Sequence, residues 1–155
     1  MAAPIESKFS LQNLKNIKLD DVMYRFMPAV GGASYLAFSV NIMNPRLYKN
    51  LFAPHELLVS NKLWFNAHLG VGLYLYSRKH MITASAYQRI MYSIFGTVVF
   101  NFGSVLLWAT TKALLPECVY MRSFFGLISG TSLLLIGKEY VAHLDKKCIN
   151  DKPAE

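Results

Sequence analysis

Four long intervals of the chain are free of Asp, Glu, Lys and Arg: Phe26 to Pro45, Leu63 to Ser77, Ile90 to Thr111 and Ser123 to Gly137. Each is bounded by basic residues: Arg25 and Arg46, Lys62 and Arg78, Arg89 and Lys112, Arg122 and Lys138. A helix needs roughly 20 residues to cross hydrocarbon, so the first and third intervals suffice alone. The second and fourth, at 15 residues each, rise only about 22 Å as helices. They reach both interfaces if Lys62, Arg78, Arg122 and Lys138 lay their stems along the apolar surface and snorkel outward. Flanking Leu57, Leu58 and Val59, or Val119 to Met121, lengthen them further. A soluble bundle would need a wettable face on its surface helices, and Ile90 to Thr111 offers none. The pattern therefore predicts an all-α polytopic membrane protein, a bundle of four transmembrane helices with spans at about 26–45, 63–77, 90–111 and 121–138. Residues 1–25 form an N-terminal arm, 26–140 the membrane domain and 141–155 a C-terminal tail.

Composition agrees. The 155 residues are 54% hydrophobic with a mean hydropathy of +0.28, too apolar for an ordinary soluble domain of this size. The net charge of +7 does not point to nucleic acid, because that requires basic residues gathered on one exposed face. Here they sit between oily runs, where they attract anionic headgroups and set orientation, so membrane lipids are the expected partners. The arm, the 78–89 loop and the tail carry eleven Lys and Arg, against five in the other two loops. That bias places both termini on the cytosolic or matrix side. Aromatic residues fit the boundaries, with Tyr24, Tyr74, Tyr76, Tyr92 and Tyr140 near the inner interface and Trp64, Trp108 and Tyr120 near the outer one. The arm has neither a secretory signal nor a transit-peptide pattern, so membrane entry rests on the internal spans. Leu11, Leu14 and Ile17 offer it at most one weak apolar stripe.

With that orientation, Asn41, Asn66, His68, Asn101 and Ser104 share the middle and outer depth of the membrane. Lipid would leave their polar groups unpaired, so they should face one another or a small wet cavity. They are the candidate polar pocket, either a ligand site or a set of interhelical hydrogen bonds. Gly126 and Gly130 form a GxxxG, and Gly96 and Gly103 add small surfaces on the third span. Such positions let helices approach closely, within the bundle or against another copy through the fourth span. His55-Glu56 lacks the second histidine of a zinc-protease motif, and Gly70-Val-Gly72 lacks the third glycine of a dinucleotide loop. His68 has no histidine partner at its depth for haem ligation. Cys118 and Cys148 fall on opposite sides of the membrane, beyond disulfide reach. Absence of charge inside the spans argues against an ion-coupled pump. No cofactor, metal or catalytic residue is expected.

The segment from NPRLYKNLF (residues 44–52), through a Gly-rich second span ending in basic residues, to NFGSVLLWATT (residues 101–111) resembles the layout of the small four-span scaffold family of ergosterol biosynthesis. DoxX-like small membrane proteins share that layout. The resemblance covers about half the chain, with Asn101-Phe102 and Val105 where the family has His-Phe and an acidic residue. It implies a non-catalytic scaffold, assembly factor or accessory subunit for other membrane proteins, in the endoplasmic reticulum in preference to the mitochondrial inner membrane. The alternative is a lipid- or cofactor-handling enzyme or carrier built around Asn66, His68 and Asn101.

Overall fold

The computed structural model describes residues 19–150, and within them the chain is all-helical. The Leu11, Leu14 and Ile17 stripe, and Lys8, Lys15, Lys18 and Lys152 of the charge count, lie outside the described residues. After a short helical turn at Leu19–Asp21, α1 runs Val22–Met43, its first turn, Val22–Phe26, being π-helical. There follow α2 (Pro45–Phe52), α3 (Glu56–Tyr76), a 3₁₀ turn at Lys79–Met81, α4 (Ala86–Leu114) and α5 (Val119–Asn150).

Three helices are long and apolar enough to cross a membrane: α1, α4 and α5. The fourth expected crossing, α3, has the length at 21 residues. However, Glu56, Asn61, Lys62, Asn66 and His68 dilute its apolar character.

Boundaries follow local chemistry. The first expected span continued to Pro45, but α1 stops at Met43: Asn44 leaves helical geometry (φ −134°, ψ 70°), as the residue before a proline tends to. Pro45 then opens α2, where its missing N–H leaves no intrahelical bond unmade. The second helix starts at Glu56, seven residues before the expected 63. α4 begins on a capping box, with Ser85 Oγ accepting from Gln88 N at 3.3 Å and Gln88 Oε1 from Ser85 N at 3.2 Å. Arg122 donates Nη2 to the carbonyls of Lys112 (3.1 Å) and Leu115 (2.9 Å), which satisfies groups that the end of α4 leaves open.

α1 is the centre, with α3, α4 and α5 all packed on it and α3 also on α4. The α1–α3 crossing is glycine on glycine. A Cβ built on Gly31 would lie 2.5 Å from Gly70 Cα, and one on Gly70 2.5 Å from Gly31 Cα. Tyr24 stacks on Tyr76 (6.5 Å between centroids) at one end of this pair, and Asn41 bonds Ser60 at the other. The two helices therefore run antiparallel side by side over nearly their full length.

Small and hydroxyl-bearing residues fill much of the interior, with Ser34, Ser39, Ser93, Thr97, Asn101 and Ser104 buried beside Tyr35, Met43, Ala67 and Trp108. Large apolar side chains point out, Phe95 at 69% exposure and Phe124 at 67%, joined by Phe102, Leu106, Ile128 and Ile136. A water-soluble fold does the reverse, so this distribution suits a lipid solvent. Trp108 departs from the expected aromatic belt. It is fully buried, because its indole N–H finds Ser129 Oγ at 3.1 Å on α5, whereas Trp64 and Tyr120 are exposed.

The start of α1 and the last turns of α5 both lie at the end of the bundle where α3 stops. α5 has 32 residues, about 48 Å, and so overshoots a core of about 30 Å. Its last turns, inside the expected tail, dock on the 3₁₀ turn after α3. There Asp145 accepts from His80 N (2.9 Å) and pairs with His80 Nδ1 (2.7 Å), with Arg78 Nη1 at 4.0 Å. Burial pushes the Asp145 carboxyl up, but the His80 hydrogen bonds and the charges of His80 and Arg78 outweigh it and hold it below its ordinary 3.8. A carboxylate lowered by folding stabilises the fold above its unfolded value and loses that contribution as pH falls through the folded one. Asp145→Asn should therefore cost about 1–2 kcal/mol at pH 7. The gap from wild type should close in denaturation curves taken below about pH 4.

Candidate functional site

The buried face of α4 is a polar stripe. Ser93, Thr97, Asn101, Ser104 and Trp108 are all buried on an otherwise oily helix, at the three- and four-residue spacing that lines up one helix face. The first four return a donor to their own helix: Ser93 Oγ to Arg89 O (2.7 Å), Thr97 Oγ1 to Ser93 O (2.7 Å), Asn101 Nδ2 to Thr97 O (2.9 Å) and Ser104 Oγ to Phe100 O (2.7 Å). Hydroxyl and amide groups are thereby kept from lipid without help from a ligand.

Further bonds run between helices. Tyr35 OH donates to Ser104 Oγ at 2.7 Å, joining α1 to α4. Asn41 Nδ2 donates to Ser60 Oγ at 2.7 Å, joining α1 to α3. Asn44 Nδ2 donates to Ser123 Oγ (2.8 Å) and Val119 O (3.2 Å), joining α1 to α5. Trp108 Nε1 completes the set from α4 to α5. Bonds of this kind fix register, because a one-residue slide would break each of them. Tyr35 also packs its ring against Phe100 and Trp108, at 5.4 and 5.0 Å between centroids.

The five residues of the sequence-derived pocket are thus distributed. Asn41 and Ser104 bond other helices, while Asn101 bonds its own. Asn41 lines a recess of about 660 Å³ with Ile42, Lys112, Glu117 and Arg122. Asn66 lines a separate open groove of about 530 Å³ with Leu57, Leu58, Asn61, Lys62 and Phe65. His68 sits against Trp64 (rings 4.2 Å apart) and edge-on to Phe102, with Nδ1 2.9 Å from Trp64 O. Its Nε2 is buried with no partner among the described residues.

No protein-family model, curated protein or solved structure matches the chain. The functional reading therefore rests on the molecule's own geometry.

Of the four small-residue positions, three are occupied within the chain. Gly126 and Gly130 face α1: an added Cβ would meet Met43 Cγ and Ser39 O at 3.3 Å in the first case, and Leu36 Cδ2 at 3.1 Å in the second. Gly96 faces Leu75 of α3, and a Cβ added at Gly103 would meet nothing within 4 Å among the described residues. The GxxxG face is covered by α1, and on other faces of α5 Phe124, Leu127, Ile128 and Leu135 are exposed. Ser60, Ser123 and Ser129, the acceptors that complete the register bonds, were outside the sequence-derived set, as was Asn44. Ser60 and Ser123 are small hydroxyl residues close to span ends, Asn44 precedes a proline and Ser129 lies mid-span, so the signal becomes specific only once helix pairing is known. No group of three or more His, Cys, Asp or Glu side chains suited to a metal ion occurs among the described residues.

Proposed function

We propose that the chain is a four-span integral membrane protein that acts as a non-catalytic scaffold, assembly factor or accessory subunit for other membrane proteins. The observation that carries this reading is the division of labour between inside and outside. Interior polar groups are engaged in holding α1, α3, α4 and α5 in register, and large apolar side chains are turned outward along α4 and α5. A rigid body with broad oily faces is suited to lateral packing against other membrane helices. The reading of α3 as the fourth span is supported by its lying beside α1 from Tyr24–Tyr76 to Asn41–Ser60. The basic end of the bundle faces the cytosol or matrix, and the endoplasmic reticulum is the favoured membrane.

Photo-crosslinkers at Phe124 and Phe95, in native membranes resistant to carbonate extraction, should yield discrete protein adducts at one position or both. Lipid adducts alone, together with a monomer in mild detergent, would sink the scaffold reading.

One observation favours the second reading, a lipid- or cofactor-handling pocket: the unpartnered Nε2 of His68. His68→Leu separates the two. Removing an unmatched buried acceptor should leave stability unchanged or raise it by about 1 kcal/mol, with the crosslinks intact. Loss of a copurifying small molecule in that variant would instead support the pocket.

A further inference from the structure

At the basic end of the bundle, three arginines converge on one recess. It has a volume of about 390 Å³ and is lined by Tyr24, Arg25, Tyr76, Ser77, Arg78 and Arg89. Ligand clefts begin at about 300 Å³, so the space accepts a phosphate-sized group with part of what it is attached to. No carboxylate is among the described residues that line it.

Two of the guanidiniums are held in place before any ligand arrives. Arg78 lies 4.1 Å over the Tyr74 ring and donates Nε to Tyr74 O at 3.2 Å. Arg89 lies 3.9 Å over the Tyr76 ring and donates Nε to Tyr76 O at 2.7 Å. Both Nε groups thus cap open carbonyls at the end of α3, while the rings fix each guanidinium plane. Each arginine spends the inner edge of its fork on this anchoring. For Arg89 the two Nη groups have no protein acceptor among the described residues. Arg78 Nη2 has a long contact of 3.4 Å to Ser77 Oγ, and its Nη1 stands 4.0 Å from Asp145. Preset guanidinium forks match the oxygens of a phosphate bidentately, which a lysine cluster would not do.

The third arginine comes from the π-helical turn that opens α1. Val22–Phe26 is wound so that Met27 N–H bonds Val22 O, and this single wide turn carries both Tyr24 and Arg25 to the recess. Single π turns often occur at functional sites. Tyr24 stacks on Tyr76 and closes one wall. Arg25 is exposed, its one ion-pair partner among the described residues being Asp21 at 3.5 Å, and is able to swing onto an incoming anion.

We infer that this recess binds a phosphate group, the phosphate of an anionic lipid headgroup in the leaflet on the basic side. The phosphate chemistry stands on the three arginines alone; the lipid source rests on the membrane placement proposed above. Basic pockets between spans on the cytosolic or matrix side hold such headgroups in this manner.

The test uses the full-length protein in mild detergent, titrated with phosphatidic acid, phosphatidylcholine and glycerol 3-phosphate, with bound lipid read by native mass spectrometry. Phosphatidic acid should bind about tenfold more tightly than phosphatidylcholine, and Arg78→Gln/Arg89→Gln should abolish that preference. Arg25→Gln, on an exposed side chain that the fold does not need, should weaken it about threefold. Lys62→Gln/Lys112→Gln, which removes the same charge from the other end, should leave it intact. Arg78→Lys/Arg89→Lys should recover little of it, because the forks are lost. Weaker binding of glycerol 3-phosphate than of phosphatidic acid identifies the lipid as the source, and equal binding identifies a soluble phosphate ester; both support the phosphate site. The inference is overturned if Arg25→Gln and the double glutamine variant keep the wild-type preference, or if the Lys62/Lys112 control loses it equally. Crosslinking results bear on the scaffold reading and leave this outcome independent of it.

Discussion

Replacing Gly70 by valine should lower the stability of the purified protein by about 3 kcal/mol or more, seen as a collapse of its thermal transition in detergent. The reason is the identity of the obstructing atoms. A Cβ at position 70 would meet Gly31 Cα at 2.5 Å and Gly31 N and Met27 O at 3.3 Å, all of them backbone. No rotamer change relieves such a clash, so α1 and α3 must separate along the contact that runs from Tyr24–Tyr76 to Asn41–Ser60. Gly31 should behave alike, since its Cβ would meet Gly70 Cα at 2.5 Å and Asn66 O at 2.9 Å. The other glycines grade the effect. Alanine at Gly126, 3.3 Å from Ser39 O, should be less damaging. Alanine at Gly96 should be milder again, because the obstacle at 2.8 Å is the movable end of Leu75. At Gly103, where a Cβ would meet nothing within 4 Å among the described residues, alanine should be neutral or stabilise by up to about 1 kcal/mol through helix propensity. A Gly70→Val protein that melts within a few degrees of wild type would refute the crossing.

That ranking was only partly readable from the chain. Composition and charge-free intervals are one-dimensional properties, and the helices they predicted exist, three of them long and apolar enough to span a membrane. Pairing is different. Gly70 read as a failed nucleotide loop because its role depends on Gly31, 39 positions away, and no local pattern connects the two. Gly103 looked like Gly126 in sequence, yet only Gly126 faces another helix. On α4 the sequence pointed to Asn101 and Ser104; Ser93, Thr97 and Trp108 share their buried face, although Trp108 was expected at the outer interface. What spacing did not reveal is that Asn101 turns back to Thr97 O, leaving the cross-helix bond to Ser104 and Tyr35. Short polar side chains in a helix compete for their own backbone carbonyls, and here Asn101 takes that option.

Trp108→Ala should be the other severe substitution, at about 3–5 kcal/mol by analogy with buried aromatic truncations. The indole is fully buried, sits 5.0 Å from the Tyr35 ring and reaches to within van der Waals range of a Cβ at Gly130. It is thus where α1, α4 and α5 meet, and its removal opens a void that three backbones would have to close. Transfer out of water contributes little in a bilayer, because lipid is as apolar as the interior. The loss there comes from packing and from the Trp108–Ser129 bond. Trp108→Phe separates these contributions. It keeps most of the ring and deletes the N–H, so it should cost about 1 kcal/mol if packing dominates, the usual scale of an interhelical hydrogen bond. Ser129 would not be stranded in that variant, since its hydroxyl already donates to Phe125 O at 2.6 Å. Ser129→Ala should cost more than Trp108→Phe, by about 1–2 kcal/mol, because it leaves the buried indole N–H without its acceptor, and adding Trp108→Phe to it should recover part of that loss. If Trp108→Phe were instead as damaging as Trp108→Ala in thermal unfolding, the hydrogen bond would be the dominant link between α4 and α5, and the packing account of this junction would fail.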